Sequence, residues 1–512
     1  MRIMRNTIRL SLLIATLSFG TGLRAQNVSN ELNGLKELTF TLGEVVDIAV
    51  ENSNISAQAK MVLETEKSDF DSFIASRKWQ LGLNFNPSYQ LTSLPPETYS
   101  VSGFSNTNAL SAGATLNFSK LISGTGGYAY ASSNLAWSEY FSESGDSYRQ
   151  MYGAPRLLGT TPIRVGYRQE LIGYNGSKWD KKIRDKQYEN AGKEYVAAMA
   201  AISETAAGYF FSYATCKALY DMYKVNAESA DSLYRIGLKK YDLTSIRKDE
   251  LLSLQLQLMN SQNDVRSSYN SMENARRSLL SYLNMGYKDV SVEVVLPDNP
   301  DHYISVDAQQ AIDMAKRYNP EFGQAEEASL RAQQELDRAK REKGLQANLD
   351  LSVGLQKFGY DFNTLGSTNK MYSMANVTLG IPIVDHGMRR NNYNAAKKRA
   401  EYYDVQKVET ERIVVESIVN TVNELQIQQM MLEDTKKAME LADESFRQNQ
   451  YNYAQGLSDI NTFTLAQNRK DSAHINYISS LRDFWLAYYR LCTITLYDFY
   501  NMKPLDYSGI SY

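Results

Sequence analysis

Cysteine is nearly absent: the 512 residues hold two, Cys216 and Cys492. Two cannot make a disulfide framework. The three histidines, His302, His386 and His474, are too scattered to read as a zinc cluster. No phosphate-binding loop of the Gly-x-x-x-x-Gly-Lys type is present. No convincing nucleophile–base constellation stands out either, so an enzyme and a bound cofactor are not expected. A basic excess is also missing. The net charge is −3, and the first 25 residues hold four arginines and no acid, so without them it becomes −7. Such a balance argues against a nucleic-acid binder. Beyond the N-terminus no run approaches the roughly 20 apolar residues of a membrane helix, and mean hydropathy is −0.43.

Proline and glycine are rationed by region. No proline occurs from Ile163 to Leu296, nor from Ile383 to Lys503, and Gly456 is the single glycine between Met388 and Ser508. Proline breaks helix interiors, so these stretches predict long helices. Glycine just past a helix end is a common stop, so Gly456 predicts the turn of a helical hairpin. Residues 388–455 would then extend about 100 Å at 1.5 Å per residue. The first half offers the same pattern, out from about 177, a turn within 237–245, and back to about 285. Val196, Met199, Ile202, Ala206, Phe210 and Tyr213 recur at three and four, the spacing of a coiled-coil seam. Cys216 and Cys492 would lie about 20 Å apart along such hairpins, too far for a disulfide.

Tyrosine is what the chain has in excess, 36 residues. It suits places with one wet and one apolar side. Residues 1–25 read as an export signal: Arg2, Arg5 and Arg9, then an apolar stretch from Leu10 to Phe19, then Leu23-Arg24-Ala25 before Gln26. No cysteine follows that would carry a lipid anchor.

The remainder reads as two copies of one unit. Leu42 to Ala59 lies over Ala308 to Ala325 at an offset of 266, and Glu228 to Arg235 lies over Glu440 to Arg447 at an offset of 212. The first copy therefore carries about 54 extra residues, placed at about 92–160. The expected plan is a first repeat at 26–285, a linker at 286–306, a second repeat at 307–500 and a tail at 501–512. Ahead of each long helix, apolar and polar residues alternate. Leu349, Leu351, Val353 and Leu355 alternate with Asp350 and Ser352, and Val377, Leu379, Ile381 and Ile383 with Asn376, Thr378 and Gly380. The first copy offers Leu81, Leu83, Phe85, Tyr89 and Leu91, and Ile163, Val165 and Tyr167. Taken alone, such strands also fit a soluble sandwich. With the export signal and flanking aromatics they fit a membrane barrel. Two strands per copy are too few to close one, since small barrels need about eight and lipid forbids an open edge. Three chains would supply twelve. Inside the insertion, Leu110 to Ser119 alternates as well, and a second run spans about Tyr128 to Phe141. This is expected to be an extra hairpin outside the cell; the alternative is a wider barrel with six strands per chain.

These features together resemble the TolC-like outer-membrane efflux proteins over nearly all of the mature chain. Leu379-Gly-Ile-Pro-Ile-Val-Asp-His-Gly387 resembles the family's passage into the long helix; its counterpart Val165 to Asn175 lacks the proline. Tyr453-Ala-Gln-Gly456-Leu-Ser-Asp-Ile460 resembles the family's aromatic-x-x-Gly tip. In the first half Tyr234-Arg-Ile-Gly237 fits that pattern, and Leu243-Thr-Ser-Ile246 parallels Leu457 to Ile460. The resemblance implies an α+β membrane protein with a long coiled-coil tunnel in the periplasm and an antiparallel transmembrane β-barrel shared by a homotrimer. It also implies a periplasmic adaptor at the tips, an inner-membrane pump beyond it, outer-membrane lipid around the barrel and no catalysis. The expected function is the exit duct of a tripartite efflux pump for small molecules. Alternatives are the duct of a type I protein secretion system and, from another class, a periplasmic adaptor, against which the duplication argues.

Candidate residues follow from this plan. Gly237, Gly456, Tyr234 and Tyr453 are the tip-turn candidates. Asp459, Asp242 and Asp249 are gate candidates, where three carboxylates would converge; the simpler reading of Asp459 is a turn or capping residue. Trp79, Tyr89, Tyr174 and Trp179 suit a membrane-interface belt, although ordinary helix–sheet packing explains Trp179 as well.

Overall fold

The fold, taken from a computed structural model, is described over residues 37–94, 105–141, 156–243, 246–286, 291–297, 304–359, 365, 370–455, 457–458 and 460–507. The expected export signal at 1–25 lies outside these residues.

Short polar caps start the paired helices that open each half. Strand β1 (Glu37–Thr41) runs into α1 (Leu42–Asn52), where Thr41 accepts from the Glu44 amide and the Glu44 carboxylate takes the Thr41 amide at 2.8 Å. Such a reciprocal box satisfies donors that a helix start leaves open. At the second start Asp307 accepts from the Gln310 amide at 3.2 Å and launches α5 (Ala308–Tyr318). Each helix is followed at once by another, α2 (Asn54–Ser76) after α1 and α6 (Pro320–Glu342) after α5. The breaks fall at Ser53 and Asn319, both in extended conformation. Pro320 explains the second, because proline disfavours helical geometry in the residue before it.

Element lengths repeat between the halves. Helices α1 and α5 have 11 residues each, and α2 and α6 have 23. The long helices α3 (Gly176–Asp242) and α7 (Met388–Ala454) have 67 each. Their returns, α4 (Lys248–Tyr282) and α8 (Ile460–Thr495), have 35 and 36. The starts of α1 and α5 are 266 residues apart and those of α3 and α7 are 212 apart, the two offsets seen in the sequence.

The chain divides into two compact units. One comprises the residues up to Leu63, Gly192–Pro320 and the chain from Arg412. It is made of helical hairpins. The sequence seam is its core: Met199, Ala206 and Phe210 are fully buried, and Val196, Ile202 and Tyr213 nearly so. Leu279, Leu283, Ile418, Leu425, Leu481, Phe484 and Leu491 complete it. Each such side chain contributes roughly 1.5–3 kcal/mol by leaving water. Strand β6 (Ser291–Val295) pairs in parallel with β1, burying Phe40 and Val292, and Tyr213 donates to the Val292 carbonyl at 2.5 Å. The expected linker at 286–306 thus contains a strand. The tail carries another: β9 (Tyr497–Asp498) pairs with β10 (Lys503–Pro504).

The other unit comprises Glu64–Ala191 and Glu321–Glu411. It holds one antiparallel six-stranded sheet: β2 (Gln80–Leu94), β3 (Ser105–Ile122), β4 (Gly127–Phe141), β5 (Arg156–Ile172), β7 (Gln346–Gly359) and β8 (Lys370–Gly380), adjacent in that order. This corrects the expectation of a hairpin standing outside the sheet. The inserted strands β3 and β4 separate β2 from β5, whereas the second half pairs β7 with β8 directly. The physical reason is their facing. Leu83, Phe85 and Tyr89 of β2 lie opposite Leu116, Ala114 and Leu110 of β3, so the insertion continues both the apolar and the polar side of its neighbour. Proline occurs where a ladder tolerates it: Pro87 on the edge strand β2, and Pro162 at the register shift between Thr160 and Ile163 of β5.

Candidate pore-lining face and helix tips

The strand register sorts the sheet into two faces. One carries Leu81, Leu83 and Phe85, then Phe118, Leu116 and Ala114, then Ala131 and Leu135, then Val165 and Tyr167, then Val353 and Leu351, then Ala375 and Val377. Leu81, Leu83 and Phe85 are about two-thirds exposed, at 67%, 70% and 66%, so nothing among the described residues covers them. The opposite face carries Asn84, Thr115, Asn117, Ser132, Asn134, Arg164, Arg168, Asp350, Ser352 and Asn376. Such a sheet, apolar on one side and polar on the other, separates lipid from water. Every strand has at least 11 residues, and about 9–11 cross a bilayer.

A hydrogen-bonded group spans three strands of the polar face. Tyr130 on β4 donates to Asp350 on β7 at 2.9 Å, and Arg168 on β5 binds the other Asp350 oxygen through two nitrogens, at 2.9 and 3.2 Å. Arg164 lies 5.6 Å from the centre of the Tyr130 ring and donates to Ser352 at 3.3 Å. Gly166 makes room for this: a Cβ there would stand 2.3 Å from the Tyr130 ring. A Cβ at Gly354 would stand 2.9 Å from the ring of Tyr372. Glycines with aromatics laid across them stiffen sheets in this way.

The aromatic candidates separate by surroundings. Trp79 precedes β2, stacks on Phe118 at 4.5 Å with Lys120 5.4 Å from its ring, and remains half exposed. Tyr89 lies within β2 on the apolar face, opposite Leu110. Tyr174 lies between β5 and α3, its ring against Gly176. Trp179 donates to Asp337 at 3.1 Å, a contact between α3 and α6.

At the helix tips the structure decides between two registers. Helix α3 runs on to Asp242 and α4 starts at Lys248, so Tyr234 and Gly237 are helical and do not form the turn. The connection between the two helices falls between Asp242 and Lys248, and Leu243 to Ile246, the segment that parallels Leu457 to Ile460, lies in that interval of the sequence. Gly237 serves packing instead: a Cβ there would meet Leu254 of α4 at 2.5 Å. Asp242 and Asp249 are exposed beside the turn, Asp249 paired with Arg247 at 3.0 Å. In the second hairpin α7 ends at Ala454, the Leu457 amide closes back on the Asn452 carbonyl at 2.8 Å, and α8 starts at Ile460. Tyr453 packs on Phe463, ring centres 5.1 Å apart, and burial raises its phenol pKa. Gly456 and Asp459 lie outside the described residues.

The sequence reading missed a polar contact between hairpins. Asn226 of α3 donates to Asp471 of α8 at 2.7 Å and accepts from Gln467. Asp471 is 9% exposed, and burial raises its carboxyl pKa. His474, one turn on, pairs with Asp443 of α7 at 2.8 Å. A polar residue at a seam position is the signal that marks such a contact. Cys216 and Cys492 are both free. Among the described residues no group of side chains has the make-up of a metal site, and no helix is long and apolar enough to cross a membrane.

Residues 311–494 match the family described as outer membrane efflux protein. That match lies in the second half of the chain, where the sequence resembles this family. The matched family and the solved neighbours CmeC and MtrE are outer-membrane proteins, the latter two described as channels. Solved structures share the fold at low identity. The Campylobacter jejuni CmeC outer membrane channel is 15% identical, with 89% of this chain and 85% of that one covered at a TM-score of 0.63. The outer membrane protein VceC of Vibrio cholerae is 14% identical, with 89% and 95% covered, at 0.63. The Neisseria gonorrhoeae MtrE outer membrane channel in its open state is 15% identical, with 89% and 88% covered, at 0.58. No curated protein matches the chain in sequence.

Proposed function

We propose that this chain is the outer-membrane duct of a tripartite efflux pump, a passive exit for small molecules. The observation that carries the reading is the two-faced six-stranded sheet whose edge strands, β2 and β8, pair with no further strand among the described residues. Free edges are not tolerated in hydrocarbon, and oligomers are most often closed and symmetric. Copies of the chain satisfy both demands when β2 of one pairs with β8 of the next. Three copies make eighteen strands, apolar side to lipid and polar side to water. The hairpins of the three copies form the tunnel, and the turns at 243–247 and after Ala454 meet a periplasmic adaptor. Residues Asp242 and Asp249 stand at these tips as gate candidates, with Asp459 beside them in sequence. The pump supplies the energy.

The test is a deletion strain. Loss of the gene is expected to lower resistance to a panel of amphipathic toxic compounds while the secreted proteins stay unchanged. Unchanged resistance with one secreted protein lost would assign the duct to type I secretion instead.

A further inference from the structure

Charge on the polar face of the sheet is not balanced along the strands. Counting rungs outward from the end where β5 leads into α3, Glu170 comes first, opposite Asn348. Arg168 and Asp350 follow as a closed pair. Next comes Arg164, opposite Gly354, and beyond it Lys370, opposite Gln356. These five are the charges on that face among the described residues. The inner rungs hold one free acid and one neutralised pair. The outer two hold cations with no acid.

The contacts explain why Arg164, among the described residues, has no ion pair of its own, although the Asp350 carboxylate feels its charge. Asp350 is the nearest acid in the network, and both of its oxygens are taken, one by Tyr130 and the other by Arg168. The Tyr130 ring, seated over Gly166, stands against the Arg164 guanidinium. Among the described residues Arg164 has no carboxylate partner, and its buried Nε donates to nothing. One hydroxyl, that of Ser352, is its sole hydrogen-bond acceptor in this set. A guanidinium offers five donors in a planar fork that matches carboxylate and phosphate. Fixed on a strand with donors to spare, Arg164 is set up to meet an anion.

We propose that the outer rungs of this face form an anion-selecting step of the pore, with Arg164 as the residue that contacts the passing anion and Lys370 adding to the field. The inference rests on the duct reading, in which this face lines the water. Three copies bring six unbalanced cations around one opening. Two unit charges about 10 Å apart in water interact by about 0.4 kcal/mol, and salt at 0.1 M screens over about the same distance. Each arginine therefore has a modest effect, and a ring of them biases permeation severalfold. The solutes favoured at the exit are organic anions, carboxylates or sulfonates, over cations of equal size.

The test is the zero-current potential of the purified full-length protein in planar bilayers under a potassium chloride gradient. The expected result for the wild type is preference for chloride. Arg164→Gln is expected to reduce the chloride-to-potassium permeability ratio by about twofold or more, Lys370→Gln by less, and Arg164→Lys little. Arg164→Lys guards against misreading a folding defect, since it alters packing but keeps the charge. Conducting channels that prefer potassium, or a ratio that Arg164→Gln leaves unchanged, would overturn the anion step and leave the duct standing. Bilayers that stay insulating with inserted protein would count against the duct reading itself, and the inference would fall with it.

Discussion

Single residues set the geometry here, and glycine shows it twice. Gly166 lets Tyr130 reach Asp350 across β5, and Gly237 lets Leu254 approach α3. The sequence pattern read Gly237 as a turn because an aromatic precedes it by three. A glycine inside a helix costs about 1 kcal/mol relative to alanine, and close packing of the returning helix accounts for its presence. Asp471 is the residue most open to a pH experiment. Burial raises its folded carboxyl pKa above the ordinary 3.8. The unfolded chain therefore ionises first, and this group's contribution is lost as pH rises through the folded pKa. Asp471→Asn, which keeps the size and can still bond Asn226, is expected to raise the thermal unfolding midpoint at pH 7. At a pH well below 3.8 the advantage should vanish. A lower midpoint for the variant at pH 7 would show that the charged form, held by Asn226, Lys470 and His474, is the stabilised one.

Among the elements, periodicity was legible where it was long. The proline-free stretches became 67-residue helices, and every seam position named from sequence is buried. Alternation in β2, β5 and β7 matched the strands, while that of β8 ran past its end at Gly380 to Ile381 and Ile383. Short elements were not readable: β1 and β6 have five residues each and pair across some 250 residues of chain, so neither carries a local signal. The insertion was readable as strands but not as members of the sheet, because alternation does not say which neighbour a strand pairs with. The two offsets point to a direct test. At the positions equivalent to β7 and β8, Leu83 would face Val165 and Phe85 would face Ile163, which keeps the apolar side intact. Replacing 95–155 by the segment 360–369 should therefore let β2 pair with β5. Barrel width grows roughly linearly with strand number, so the polymer size excluded from the outer mouth should fall by about a third. Failure to assemble would mean that β3 and β4 are needed for closure. An unchanged cut-off would mean that they do not line the pore.

At the scale of the whole molecule, the resemblance was legible from the doubled order of strands, long helix, tip and return, and the family match over 311–494 lies in the second, uninserted half. The tip residues were the least legible, because the first connection follows the offset between the halves and not the aromatic-x-x-Gly motif. Element lengths match between the halves, and β3 and β4 occur only in the first. The central claim is that the insertion entered the barrel wall. The most direct measurement is an electron cryo-microscopy reconstruction of the detergent-purified, unmodified protein. The account predicts a three-fold ring of eighteen strands, with β2 of each protomer hydrogen-bonded to β8 of the next and the Arg164 rungs facing the lumen. A closed ring of twelve strands with β3 and β4 standing outside it, or a protomer whose β2 and β8 edges remain free, would contradict it.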